Sequence, residues 1–290
     1  PSSTGRPVRP GITLAGTTLE FEVTVDGTNL DAPLTGAGTI EVEDASGRED
    51  AGDVLRDALR IAIMGDSFSA GEGAGDYISG SDTSNNTCHR SGGTYLMENF
   101  ELEDAWNLAC SGALAADITS VSHSNSSVQP QVKQLADLQN DAPMDAVVLT
   151  IGGNDAGFAT ILGSCLVSPI ACDKRVLDTN TTEYLDRHLN GLASQLTAQY
   201  EAIDQELNSR ATVSTRGFRA PIVVLAYPRL FPGAKGSCAP LTTFTQAELD
   251  TGSALVTRLN GTVEGAVAAA RTVGVPALFV PQTEDAFVPD

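Results

Sequence analysis

The sequence is poor in lysine and has no long apolar run. Its three lysines, Lys133, Lys174 and Lys235, accompany a net charge of −20 over 290 residues. Such an acidic chain repels phosphate at long range, which argues against nucleic acid and anionic membrane surfaces as partners. No apolar segment is long enough to cross a bilayer, so we expect no membrane span. The chain starts at Pro1 without Met or a signal-like segment, and we expect a mature form, an excised piece or a fragment.

Cysteines are few and lack metal-binding spacing. There is no Cys-x-x-Cys pair and no His at zinc-ligand spacing, so we expect no structural metal. Two loops could instead be closed by disulfides, Cys88 with Cys110 and Cys165 with Cys172, which would leave Cys238 unpaired. Oxidised pairs would place the protein outside the cytoplasm. The alternative is that all five cysteines are reduced core residues.

Residues 1–57 differ in pattern from the rest of the chain. The segments 19–25 ("LEFEVTV") and 40–43 ("IEVE") alternate apolar and polar residues, as half-buried strands do. The segment 45–53 has the composition of a linker. We therefore predict a small β-rich module, or part of one, followed by a linker.

Residues 58–290 alternate between apolar strands and helices. Helical spacing runs from Leu185 to Leu207, expected as the longest helix, and from about Thr245 to Thr272. This alternation predicts a parallel sheet that is covered by helices on both faces. The strands are predicted in the runs 59–64, 105–109, 146–151, 221–227 and 277–280.

Three polar motifs follow predicted strands. They are "GDSFSAGEG" from Gly65, "CSGA" from Cys110 and "GGND" from Gly152. Ligands bind beyond the carboxyl ends of strands in such sheets, so we expect the three motifs to converge. Alone, Ser67 could be a helix N-cap, and "GGND" could be an ordinary turn. A dinucleotide loop fits poorly, because the glycine spacing is wrong and acidic residues flank the loop.

Together the motifs provide the groups that acyl transfer needs. That reaction requires a nucleophile and preorganised donors for the oxyanion that forms on the attacked carbonyl. Ser67 is the candidate nucleophile. The backbone N–H groups of Ser67 and Gly112 and the side-chain amide of Asn154 would supply three donors.

These motifs, in this order, resemble those of the SGNH (GDSL-type) hydrolases, a family of esterases and lipases. The segment "CHRS", residues 88–91, resembles the secreted, disulfide-bonded bacterial branch of that family. The resemblance covers residues 58–290. It implies a three-layer α/β/α sandwich with a five-stranded parallel sheet, with Ser67 as the nucleophile and Gly112 and Asn154 as oxyanion donors.

The sequence departs from this family at the general base. The family takes its base from a His just after the last strand, usually as Asp-x-x-His, whereas His89, His123 and His188 all precede that point. We expect these three histidines to have structural or surface positions. Our hypothesis is that the chain is a fragment, and that a His and a Cys that pairs with Cys238 follow Asp290.

These observations predict a secreted serine ester hydrolase that works through an acyl-enzyme. We expect a monomer that acts on a small-molecule or lipid ester, with no metal or organic cofactor. Two alternatives remain open. One is a carbohydrate acetyl esterase, and the other is a non-catalytic binding or surface module that kept the fold and lost its base.

Overall fold

The computed structural model describes most of the chain after residue 59. The described residues are 60–94, 97, 105–123, 127–167, 175–176, 179–229 and 245–285, together with the backbone of five strands before residue 51.

The first five strands form two small antiparallel sheets. They are β1 (Gly11–Ala15), β2 (Thr18–Val25), β3 (Thr28–Ala32), β4 (Glu41–Asp44) and β5 (Gly47–Asp50). Their orders are β1-β2-β3 and β4-β5. Strand β5 lies inside the segment 45–53 and pairs with β4, and the linker predicted there stays a prediction. The division of the chain near residue 57 stays a prediction.

The later elements alternate between strands and helices, as the sequence predicts. In chain order they are β6 (Ile61–Gly65), α1 (Ser67–Ala70), β7 (Ala105–Asn107), α2 (Gln131–Gln139), β8 (Ala146–Thr150), α3 (Phe158–Val167), β9 (Arg175–Val176), β10 (Thr179–Asn180), α4 (Thr181–Leu189), α5 (Leu192–Leu207), α6 (Arg210–Arg216), β11 (Ile222–Leu225), α7 (Gln246–Thr272) and β12 (Ala277–Val280). Two 3-10 helices lie at Ala115–Ile118 and Pro281–Asp285.

Five of these strands form one parallel sheet in the order β12-β11-β8-β6-β7. The predicted α/β fold with a five-stranded parallel sheet is confirmed. All five strands end at the same edge, which is where the polar motifs follow β6, β7 and β8. Sheet topology therefore brings these motifs to one side of the molecule.

Both faces of the sheet are buried. Ala62, Met64 and Leu149 point to one face and belong to the main core, which also includes the apolar residues of α5 and α7. Ile63 and Val148, one position along their strands, lie in a second cluster on the other face. This alternation explains why the strands are apolar at nearly every position.

The segment from Leu185 to Leu207, predicted as one helix, forms parts of two helices. Helix α4 ends at Leu189, and Gly191 adopts the left-handed conformation (φ 78°) before α5 begins at Leu192. The prediction that this is the longest helix is therefore wrong, since α7 has 27 residues. A left-handed residue interrupts a right-handed helix, and glycine adopts that conformation at little cost.

Gly65, the last residue of β6, is held by two neighbouring elements. Its φ is 111°, and a Cβ atom built there would lie 1.9 Å from the Thr150 carbonyl oxygen. The Gln131 side chain accepts from the Gly65 N–H (2.7 Å) and donates to its carbonyl (2.8 Å). Only glycine fits this close approach of β6 to β8, so the turn that leads to Ser67 has a fixed direction.

We therefore predict that Gly65→Ala lowers the free energy of unfolding by roughly 3 kcal/mol or more, because the backbone must shift and the φ angle is strained. Gly261→Ala is the matched control. It lies on the exposed side of α7, with no atom within 4 Å of the position that a Cβ would take, and it should stabilise the protein by up to about 1 kcal/mol. Urea unfolding of both variants measures the difference, and equal stabilities would contradict this account of Gly65.

Candidate active site

Ser67 is the first residue of the short helix α1. The N-cap of this helix is Asp66, whose side chain accepts from the Phe68 N–H at 3.2 Å. The alternative that Ser67 is the N-cap is therefore wrong, because the preceding residue has that role. Ser67 is half-buried, and within the described residues its side chain makes no hydrogen bond.

The loop that carries Gly112 is tied to the end of β6 and to the loop around residue 88. The Cys110 N–H donates to the Gly65 carbonyl (3.0 Å), and the Ser111 N–H donates to the Cys88 carbonyl (3.0 Å). A disulfide joins Cys88 to Cys110, as the sequence analysis proposed. Gly112 follows in the left-handed conformation with φ 80°. The disulfide and the two hydrogen bonds fix this loop beside the turn before Ser67.

Asn154 lies in the loop after β8 and contacts the Gly112 loop directly. Its side-chain Nδ2 donates to the Ala113 carbonyl at 2.9 Å. The next residue, Asp155, accepts from the Ala115 N–H at 2.9 Å. Burial raises the pKa of the Asp155 carboxyl, although the bond from Ala115 acts in the opposite direction. Two hydrogen bonds therefore hold the loop of Gly112 against the loop of Asn154.

Asp66 forms a buried hydrogen-bond network that the sequence analysis missed. Its carboxylate accepts from the Phe68 N–H, from the Thr150 hydroxyl (2.8 Å) and, at a short distance, from the Tyr227 hydroxyl. The same Tyr227 oxygen accepts from the Gly153 N–H at 2.8 Å. Burial raises the pKa of Asp66 to about 6, against the hydrogen bonds from Tyr227, Thr150 and Phe68. The signal in the sequence is a tyrosine at the carboxyl end of an apolar strand, β11.

The network continues from Thr150 to Ser69. The Thr150 hydroxyl proton is used by Asp66, so the Ser69 hydroxyl donates to Thr150 Oγ1 (3.0 Å) and accepts from the Thr150 N–H (2.8 Å). Both side chains are fully or almost fully buried. Helix α1 is thereby attached to β8 by side chains on either side of Ser67.

A family model described as GDSL-like lipase/acylhydrolase matches residues 61–272. The chain belongs to this family. It is 36% identical over 186 residues to a lipase of Streptomyces rimosus, a match that covers 63% of this chain and 57% of that lipase.

Two solved structures have the same fold. The extracellular lipase of Streptomyces rimosus is similar with a TM-score of 0.57 and 27% identity, over 80% of this chain and 86% of that chain. Phospholipase A1 of Streptomyces albidoflavus NA297 is similar with a TM-score of 0.53 and 26% identity, over 74% of this chain and 77% of that chain.

His89 is part of a polar cluster in this GDSL-family chain. Its Nδ1 lies 2.7 Å from a carboxylate oxygen of Glu72, and its ring stacks on Tyr77 with centroids 5.0 Å apart. The Ser111 hydroxyl donates to the same Glu72 carboxylate. Burial alone would raise the pKa of Glu72, but the bonds from Ser111 and His89 outweigh it and hold the pKa below its ordinary value. Glu72 therefore links the Ser67 segment to the Gly112 loop.

The other two histidines are bonded elsewhere. His123 Nδ1 lies 2.6 Å from the buried carboxylate of Asp117, and its side chain is 46% exposed. His188 Nδ1 donates to the Tyr184 carbonyl at 2.8 Å, and the two rings stack. Neither set of contacts includes Ser67.

Some expectations lie outside what the structure describes. Cys172, Cys238 and the side chain of Cys165 are outside the described part, so the pairing of Cys165 with Cys172 and the unpaired state of Cys238 stay predictions. Among the described residues, no group of three or more His, Cys, Asp or Glu side chains could hold a metal ion. No helix in that part of the chain is long and apolar enough to span a membrane.

The buried Asp66 carboxyl should make stability depend on pH. Its pKa is 3.8 in an ordinary setting and about 6 in the folded protein. Between these two pH values the folded form therefore binds more protons than the unfolded form. The unfolding free energy therefore falls as pH rises through about 6. Relative to Asp66→Asn, which does not titrate, the protein should lose roughly 2–3 kcal/mol between pH 4 and pH 7.

Urea unfolding at several pH values measures this difference. Asp141→Asn, at an exposed position, is the control for the loss of one acidic side chain. A constant difference between the parent protein and Asp66→Asn over this range would show that the Asp66 carboxyl is not buried in its charged form.

Proposed function

We propose that this chain carries the catalytic core of a secreted serine ester hydrolase that cleaves carboxylic esters through an acyl-enzyme. Ser67 is the nucleophile, and Gly112 and Asn154 are oxyanion donors. One observation above all supports this proposal. Hydrogen bonds tie the Gly112 loop to the turn before Ser67, through Cys110 and Gly65, and to the Asn154 side chain through Ala113.

The donors proposed for the oxyanion are available for a ligand. Within the described residues, neither the Ser67 N–H nor the Gly112 N–H has a hydrogen-bond partner. The Asn154 amide uses one of its two N–H groups on Ala113, which leaves the second for another acceptor. Each donor of this kind typically lowers the barrier by about 3 kcal/mol.

In the proposed reaction, the Ser67 oxygen attacks the ester carbonyl and a general base takes its proton. The negative charge on the carbonyl oxygen is held by Gly112, Asn154 and the Ser67 N–H. The alcohol then leaves with a proton, and water hydrolyses the acyl-enzyme to release the acid and restore the serine. We do not assign the base to His89, His123 or His188, because within the described residues none of their contacts includes Ser67.

Lipid or small acyl esters are the proposed substrates. The names of the relatives, a lipase and a phospholipase A1, support an acyl ester. The net charge of −20 disfavours strongly anionic lipid surfaces. The disulfide between Cys88 and Cys110 supports a location outside the cytoplasm, since such bonds persist in oxidising compartments.

We predict that Ser67→Ala abolishes hydrolysis of a short-chain p-nitrophenyl ester by the whole protein and also its labelling by a fluorophosphonate. Removing the nucleophile of a serine hydrolase costs about 10⁶-fold in kcat. Asn154→Ala should lower kcat by about 10²–10³-fold, because one oxyanion donor is lost.

The matched controls are Ser120→Ala and Asn140→Ala, which lie at exposed positions. Both should keep full activity. Full labelling of Ser67→Ala would contradict the proposed nucleophile. An unlabelled parent protein would favour the non-catalytic module, and a strong preference for acetylated sugars over acyl lipids would favour the acetyl esterase.

A further inference from the structure

The hydroxyl of Tyr227 connects the two loops that carry Ser67 and Asn154. Tyr227 follows β11 and is only 2% exposed. Its oxygen donates to the Asp66 carboxylate and accepts from the Gly153 N–H at 2.8 Å. The tyrosine comes from a third strand end, 161 residues after Asp66 in the sequence.

Each partner of this hydroxyl is the residue just before a proposed site residue. Asp66 precedes Ser67, and its carboxylate also accepts from the N–H of Phe68 on the other side. Gly153 precedes Asn154. One phenol oxygen therefore bridges the backbone that presents the nucleophile and the backbone that presents the side-chain amide.

The Tyr227 ring has little freedom to move. It packs edge-on against Phe68, with centroids 5.3 Å apart and planes at 84°. The ring also packs against Gly153. A Cβ atom built at Gly153 would lie 3.0–3.1 Å from atoms of the Tyr227 side chain, so a larger residue there would displace the ring or the loop. The hydroxyl is held by packing as well as by its two hydrogen bonds.

The donor and acceptor roles of the Tyr227 hydroxyl follow from the chemistry of its two partners. A phenol has one proton to donate, which goes to the carboxylate, and it accepts from Gly153 with a lone pair. Burial, with the nearby Asp66 charge, raises the pKa of Tyr227 well above its ordinary value, so the phenol keeps its proton. Among the described residues, the charge of Asp155 also acts on the Asp66 carboxyl, and the Asp66 charge acts on the buried Tyr200 hydroxyl.

We infer that Tyr227 is a positioning residue for ester hydrolysis, because its hydroxyl sets the separation between the Ser67 nucleophile and the Asn154 oxyanion donor. The inference rests on the proposed function. Its physical basis is that a displacement of a donor by a fraction of an ångström weakens transition-state stabilisation more than it weakens binding of the ground-state ester.

Tyr227→Phe tests the inference, because it removes the hydroxyl and keeps the ring. In the whole protein, hydrolysis of a p-nitrophenyl ester should lose roughly 10- to 100-fold in kcat, with KM changed by less than about 3-fold. The Asp66 carboxylate also loses a donor, so its pKa rises, and the part of the acidic limb of the pH–rate profile that comes from protonation of Asp66 should move to higher pH.

Tyr200→Phe is the matched control. Tyr200 is as deeply buried as Tyr227, but its hydroxyl has no hydrogen-bond partner among the described residues. Removing it should leave kcat, KM and the pH profile unchanged. Thr150→Val is a second variant that removes a different donor from the Asp66 carboxylate and leaves Gly153 in place. It should move the acidic limb in the same direction.

The outcomes separate a positioning role from a structural one. A lower melting temperature of Tyr227→Phe with an unchanged kcat and pH profile would overturn the inference. An equal loss of kcat in Tyr200→Phe would overturn it too. If Ser67→Ala keeps its activity, the proposed function fails as well. If Ser67→Ala is inactive and Tyr227→Phe is fully active, only the inference fails.

Discussion

The buried carboxylate of Asp66 is the constraint on which the arrangement of the site depends. A carboxylate taken out of water is costly unless hydrogen bonds replace its hydration. Here Phe68, Thr150 and Tyr227 supply them, and they come from α1, β8 and the end of β11. The need to satisfy one charge thus brings three parts of the chain to the residue next to Ser67.

The parallel sheet makes this meeting possible. Strands β6, β8 and β11 are neighbours and end at one edge, so short loops suffice to bring their following residues together. Gly65 permits the close approach of β6 to β8, and the disulfide from Cys88 to Cys110 anchors the loop that follows β7. The proposed oxyanion donors lie on loops that several independent contacts hold in place, which is what preorganised electrostatic stabilisation requires.

The sequence predicted what depends on local pattern and missed what depends on tertiary packing. The apolar runs of β6, β8, β11 and β12 identified the sheet because buried parallel strands are apolar throughout. The break at Gly191 was missed, since the apolar spacing continues across it. The bond from Tyr227 to Asp66 could not be predicted, because it joins residues 161 positions apart and depends on which strands are neighbours. Likewise, the residue that caps α1 was ambiguous until the backbone showed Asp66 in that position.

In the proposed mechanism, the loops of Ser67, Gly112 and Asn154 form one pocket for a developing negative charge. The most direct measurement is a crystal structure of the whole protein after reaction with a fluorophosphonate. We predict a phosphorus atom bonded to Ser67 Oγ and a phosphoryl oxygen about 2.7–3.1 Å from the Gly112 nitrogen and the Asn154 Nδ2. An adduct on another residue, or a phosphoryl oxygen that points to solvent away from both donors, would contradict it.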